Sequence, residues 1–157
     1  MPPAEIILLR HGEEPADETD PDLDQAGRNR ADRLVDFIPA TFGNPDFVIT
    51  AAANRTSVRC YLTMRPLCTS LGMRICASLK ANESQALASQ LLVDDTFSNK
   101  TIVVCWTHTE LPHLAEALKA RRADYPRPWD ESVFNLILHV RYSAPGRPSV
   151  TKVVQPF

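Results

Sequence analysis

Ile6-Ile7-Leu8-Leu9 is a short uninterrupted apolar run, and Thr101-Ile102-Val103-Val104-Cys105-Trp106 is a second. Runs of this length without polar alternation predict strands buried on both faces. Between them the period changes. Ala31, Leu34, Val35 and Ile38 recur at helical spacing, which predicts a helix opening at Leu23-Asp24 with Asp24 as N-cap and ending at Pro39 and Gly43. Residues 46–50 read as a strand and 51–54 as a turn of small residues. A second helix follows, capped by Thr56 or Ser57, running through Tyr61, Leu62, Met64 and Leu67 and stopped by Gly72. Residues 73–77 read as a short third strand and 83–92 as a third helix. After the strand at 100–106 comes Thr107-His108-Thr109, then a helix with Leu111, Leu114, Ala115 and Leu118, where Pro112 is tolerated in the first turn. Residues 121–130 are a proline-bearing loop. Residues 133–142 alternate in part and read as a strand, Pro145-Gly146 signals a turn, and 150–155 pairs back as a hairpin. Strands alternating with helices predict an α/β fold, a three-layer α/β/α sandwich with a mainly parallel sheet and an antiparallel edge strand.

The chain has 157 residues, which predicts one domain over 1–157 with a core of its own. With 44% hydrophobic and 23% charged residues, the composition is that of a globular protein. The formal net charge of -2 gives no bulk support for binding nucleic acid or an anionic membrane. Four cysteines without a CxxC pair fit a reducing compartment. Met1-Pro2-Pro3-Ala4-Glu5 lacks the basic-then-apolar order of a secretory signal, so the expected location is cytoplasmic. The acidic stretch 14–24 does not carry the glycine and terminal glutamate of a calcium loop, and reads as a solvated loop that borders the pocket, since it directly follows Arg10 and His11.

Both apolar runs end in chemistry. The first delivers Arg10, His11 and Gly12, the second His108. Open α/β sheets bind ligands at the carboxyl ends of their strands. An arginine there is a fixed cation matched to phosphate, a histidine is a base or nucleophile near neutral pH, and a glycine lets the backbone come close. Taken alone, the triplet is equally a solvated strand end. Arg59 lies at the start of the second helix, whose free amides favour an anion. Together, Arg10, His11, Arg59 and His108 are able to surround a phosphoryl group.

On these residues the chain resembles the histidine phosphatase superfamily, the phosphoglycerate mutase-like proteins, and most of all its small members. Leu9-Arg10-His11-Gly12-Glu13 is similar to the family signature, and residues 23–31 with Gly27 and Arg30 to its first helix opening. Arg59 with Thr63 matches the second arginine and the threonine four residues on, and residues 102–108 the strand that delivers the second histidine. The match runs in order over most of the chain. It implies a phosphatase without metal or other cofactor, in which His11 attacks phosphorus and forms a phosphohistidine. Arg10, Arg59 and His108 would bind the phosphoryl oxygens. The implied partner is a phosphorylated small molecule or a phosphoprotein, with no nucleic acid or membrane.

The family also implies a proton donor. Glu83 is the only carboxylate in 60–93 and is the expected acid. A glutamate at a helix start is also favoured by the dipole alone, and Glu13, Asp17 and Glu110 stay open by proximity in sequence. The alternative function is a non-catalytic protein that binds a phosphorylated ligand on the same fold. A phosphomutase fits less well, since a short chain offers little sequence for a lid. Cys68 and Arg74 have the C-x5-R spacing of cysteine phosphatases but follow a helix, not a strand. His108 and His113 stand five apart, not at the i,i+4 spacing of a zinc pair.

Overall fold

The computed structural model describes residues 1–143 and 146–157. Pro145 of the expected Pro145-Gly146 turn therefore lies outside the described residues, while Gly146 has the positive φ of 106° that suits glycine. The elements run β1 (Glu5–Arg10), α1 (Gln25–Phe42), β2 (Phe47–Thr50), α2 (Arg59–Leu71), β3 (Ile75–Cys76), α3 (Ser84–Val93), β4 (Thr101–Trp106), α4 (Leu111–Ala117), β5 (Leu136–Arg141) and β6 (Ser149–Val154). One six-stranded sheet orders them β3-β2-β4-β1-β5-β6. The pairs β3–β2, β2–β4 and β4–β1 are parallel, whereas β5 runs antiparallel to both β1 and β6. The antiparallel edge is thus a hairpin.

The two apolar runs are the centre of this sheet. Ile6 to Leu9 and Ile102 to Trp106 are fully buried and lie side by side, Leu9 against Cys105 and Arg10 against Trp106. β1 steps to β2 and β2 to β3 in one direction across the sheet, and the chain then reverses to reach β4 and β5. Right-handed crossovers place helices on opposite faces when the direction reverses. Accordingly α1 packs with α2 and α3 with α4, forming the two outer layers. Loops leaving β1 and β4 turn to different faces and open a crevice between the ends of these two strands. Among the described residues no helix is long and apolar enough to cross a membrane.

Local chemistry explains where elements depart from expectation. Asp24 caps α1 as its sequence predicts, accepting from the Gly27 amide at 2.7 Å. Pro39 does not end the helix. It forfeits only its own amide bond, its carbonyl still accepts from Gly43 at 2.9 Å, and α1 runs on to Phe42. Neither expected cap holds α2. Thr56 turns back to Asn54 through its amide and hydroxyl, Ser57 makes one long 3.3 Å contact to the Arg59 amide, and Val58 occupies the cap position. β5 starts at Leu136 rather than 133; the Val133 carbonyl and the Phe134 ring meet Arg10 instead.

Two glycines bring the β1 loop and α1 together. A Cβ on Gly12 would stand 2.8 Å from the Gly27 carbonyl oxygen, and one on Gly27 would stand 2.8 Å from the Glu13 nitrogen. Both neighbours are backbone and cannot swing away. Gly27→Ala is therefore expected to lower stability by about 1–3 kcal/mol. Urea unfolding of the variant measures this, and an unchanged midpoint would mean that the loop is not held against the helix.

Candidate active site

Arg10 is the last residue of β1 and is fully buried. Its guanidinium carbon lies 3.8 Å over the Phe134 ring. Nη1 donates to the carbonyls of Glu131 (2.6 Å) and Val133 (3.2 Å), the segment entering β5. Nε and Nη2 are buried and have no partner among the described residues. A buried donor without an acceptor costs about 1–3 kcal/mol, so this free edge is matched to an anion that brings its own oxygens. Burial pulls the Arg10 pKa below the usual arginine value, and the Glu14 and Glu131 charges oppose the shift.

His11 follows and is 3% exposed. Its Nδ1 lies 2.7 Å from the Gly12 carbonyl oxygen. That oxygen only accepts, so Nδ1 carries the proton and Nε2 is left with a lone pair. Burial, supported by the charges of Arg10 and Arg59, pushes the His11 pKa down to about 4. The ring is therefore neutral throughout the neutral range. The adjoining Gly12 amide donates to Thr63 Oγ1 at 2.9 Å, and that hydroxyl donates to the Arg59 carbonyl at 2.7 Å. The threonine four residues after Arg59 thus ties the β1 loop to the first turn of α2.

Arg59 is mostly buried, but its donors are engaged. Nε donates to the Asp22 carbonyl at 3.0 Å, Nη2 donates to the Asp20 carbonyl, and Nη1 lies 3.4 Å from Glu14 Oε2. The acidic loop is thus folded onto this arginine. His108 follows β4, half-buried, and its pKa is lowered by burial and by the Arg10 charge, with Glu14 and Glu131 opposing. Of the five expected site residues, His11 is thus within electrostatic reach of Arg10 and Arg59, and His108 of Arg10.

Glu83 is the fifth. It precedes α3, and its Oε1 accepts from the Lys80 amide at 3.0 Å, closing its own turn. The carboxylates that act on the histidines are Glu14 on both and Glu131 on His108. Of the other candidates, Glu13 is clamped by Arg30 at 2.7 Å, Asp17 binds Thr19, and Glu110 accepts from Ser84 at 3.2 Å. The acidic loop that opens at Glu14 lies against the site, as its place directly after Arg10 and His11 predicts, although the pattern does not single out Glu14 itself. Sequence reasoning missed Phe134 and the two carbonyls that hold Arg10, since a carbonyl leaves no mark in side-chain pattern. Cys68, of the C-x5-R pair, is a buried thiol pushed up to about 11, unsuited to act as a thiolate. Among the described residues no group of His, Cys, Asp and Glu is gathered to hold a metal ion.

The depressed His11 pKa makes stability depend on pH. The unfolded chain takes up a proton here near pH 6.5, the folded one only near 4. Above pH 6.5 the group is neutral in both states. Below it, stability falls until pH 4, by on the order of 3 kcal/mol. Urea unfolding at pH 7.5 and 4.5 is expected to show a smaller acid loss for His11→Gln than for the unaltered protein. Equal losses would contradict the buried neutral ring.

No protein-family model and no curated protein sequence matches the chain. Solved structures do. One described as the phosphohistidine phosphatase SixA from Agrobacterium tumefaciens superposes with a TM-score of 0.67 at 16% identity, covering 98% of this chain and 99% of that one. The protein histidine phosphatase SixA complexed with tungstate gives 0.60 at 12% identity, with 96% of each chain covered. Mycobacterial glucosyl-3-phosphoglycerate phosphatase with inorganic phosphate gives 0.61 at 12% identity, again over 96% of each. The chain therefore has the fold that its resemblance to the histidine phosphatase superfamily implies.

Proposed function

We propose that this protein is a phosphatase that hydrolyses a phosphomonoester or a phosphoprotein through a phosphohistidine on His11. The observation that carries the reading is the pairing of a neutral His11, with Nε2 unprotonated, and a buried Arg10 with two unpartnered donors. Two fold neighbours hold tungstate or inorganic phosphate, tetrahedral oxyanions of the kind the Arg10 edge is built to receive. In the first step the Nε2 lone pair forms a bond to phosphorus as the bond to the leaving oxygen breaks. Arg10, Arg59 and His108 take the charge that gathers on the phosphoryl oxygens. The leaving oxygen needs a proton, and Glu14 is favoured over Glu83 as its source because it lies on the loop that folds onto Arg59, 3.4 Å from that guanidinium. In the second step water gives a proton to Glu14 and attacks phosphorus. The electron pair of the P–N bond returns to Nε2, and phosphate leaves.

A second reading, a binder of phosphorylated ligands without turnover, is favoured by one observation. All three donor positions of Arg59 face Asp20, Asp22 and Glu14, so the second arginine has to be released or shared before it grips phosphate. Phosphate release from p-nitrophenyl phosphate, with and without chelator, separates the two. Chelator-resistant release that falls by about a thousandfold or more in His11→Ala is expected. Activity that survives the substitution would overturn the nucleophile. Tungstate binding with no release across pH 5–8 would favour the binder.

A further inference from the structure

Beside the phosphoryl site lies an open groove of about 780 Å³ that runs from His108 to Trp129. Pro112, Pro128 and Trp129 give it an apolar lining, and Asp130 and Glu131 supply its charge. Arg127 also borders it, but its guanidinium is bonded to Glu116 at 2.9 Å. Among the described residues no cation pairs with the Glu131 carboxylate. Asp130 binds only the amide and hydroxyl of Ser132. His108 lines the groove, and Arg10 donates to the backbone carbonyl of Glu131 at 2.6 Å, so the groove borders the phosphoryl site. On the acidic loop after β1, the Glu14 carboxylate lies 3.4 Å from Arg59, which also bonds the Asp20 and Asp22 carbonyls. The fully buried Arg10 with its unpartnered Nε and Nη2 shows that an anion belongs at the centre. An anion site between two acidic segments is a poor host for a substrate carrying a further carboxylate. It suits a phosphoryl group whose carrier is positive.

We propose, on the reading of this protein as a phosphatase, that its substrate is a phosphorylated residue within a basic peptide segment, with Lys or Arg side chains laid along the groove against Asp130 and Glu131. A peptide is favoured over a small cation by shape and by spread. The groove is open, long and larger than one onium group fills, and the two acidic segments come from different elements of the fold. An extended chain advances about 3.3 Å per residue, so basic residues flanking the phosphorylated one lie along the groove. Opposite charges across such a surface act mainly on encounter and discrimination, and weaken with salt.

The test uses two phosphotyrosine peptides of equal length, one flanked by Lys and Arg, one by Asp and Glu, with phosphocholine and p-nitrophenyl phosphate alongside. At low salt kcat/KM for the basic peptide is expected to exceed that for the acidic one by about tenfold or more. The ratio should shrink at 0.5 M salt, and also in the double variant Asp130→Asn, Glu131→Gln. Each ratio is taken within one variant, so a change in basal turnover cancels. Equal values for the two peptides, with p-nitrophenyl phosphate still hydrolysed, would overturn the proposal and leave the phosphatase reading standing. So would a preference for phosphocholine over both peptides, or a ratio that the double variant does not change. If none of the four is hydrolysed, the phosphatase reading fails. The same peptides, fluorescently labelled, are then ranked by binding anisotropy. Tighter binding of the basic one supports the charge selection, and equal binding overturns it.

Discussion

A guanidinium with no access to water and two donors left unbonded is the constraint on which this molecule depends. Leaving Nε and Nη2 of Arg10 unpaired costs a few kcal/mol, a large share of the 5–15 kcal/mol by which a domain is usually stable. The surroundings hold it there. Phe134 stacks on its face, and the carbonyls of Glu131 and Val133 fix the other edge. The antiparallel placement of β5 beside β1 brings those carbonyls alongside the last residue of β1. On the proposed function, an oxyanion would supply the missing acceptors and recover that cost.

His11 is fitted to the same demand by a chain of short bonds. The Gly12 carbonyl fixes its tautomer, the Gly12 amide is held by Thr63, and Thr63 is anchored on Arg59. On the far side, Glu13 is clamped by Arg30, which is itself held at 2.7 Å by Gln155 near the end of the chain. The histidine thus sits in a loop braced by α1, α2 and the segment after β6. Its low pKa follows from that burial, and its neutrality is what in-line attack on phosphorus requires. The groove with Asp130 and Glu131 begins where this rigid centre ends.

Much of this was legible in the chain. The runs at Ile6 to Leu9 and Ile102 to Trp106 carry the burial of two central strands on their face, and Arg10, His11 and His108 stand at their ends because apolar pattern and strand length agree there. The misreadings have physical causes. Pro39 reads as a stop, yet a proline in a last turn loses one bond and leaves its carbonyl free. Thr56 and Ser57 have cap chemistry, but Asn54 competes for the threonine. The support of Arg10 is made of backbone carbonyls, which no residue pattern reveals. Glu14 becomes a neighbour of both histidines only once the acidic loop folds onto Arg59.

The covalent step is the most direct test. Turnover of p-nitrophenyl phosphate, stopped within milliseconds in alkaline denaturant to preserve a phosphoramidate, followed by peptide mapping, locates any phosphate held by the protein. The account predicts a single phosphorylated residue, His11, with the phosphate on Nε2. Phosphate mapped to His108 or another residue, or turnover with no phosphoprotein detected at any quench time, would contradict it.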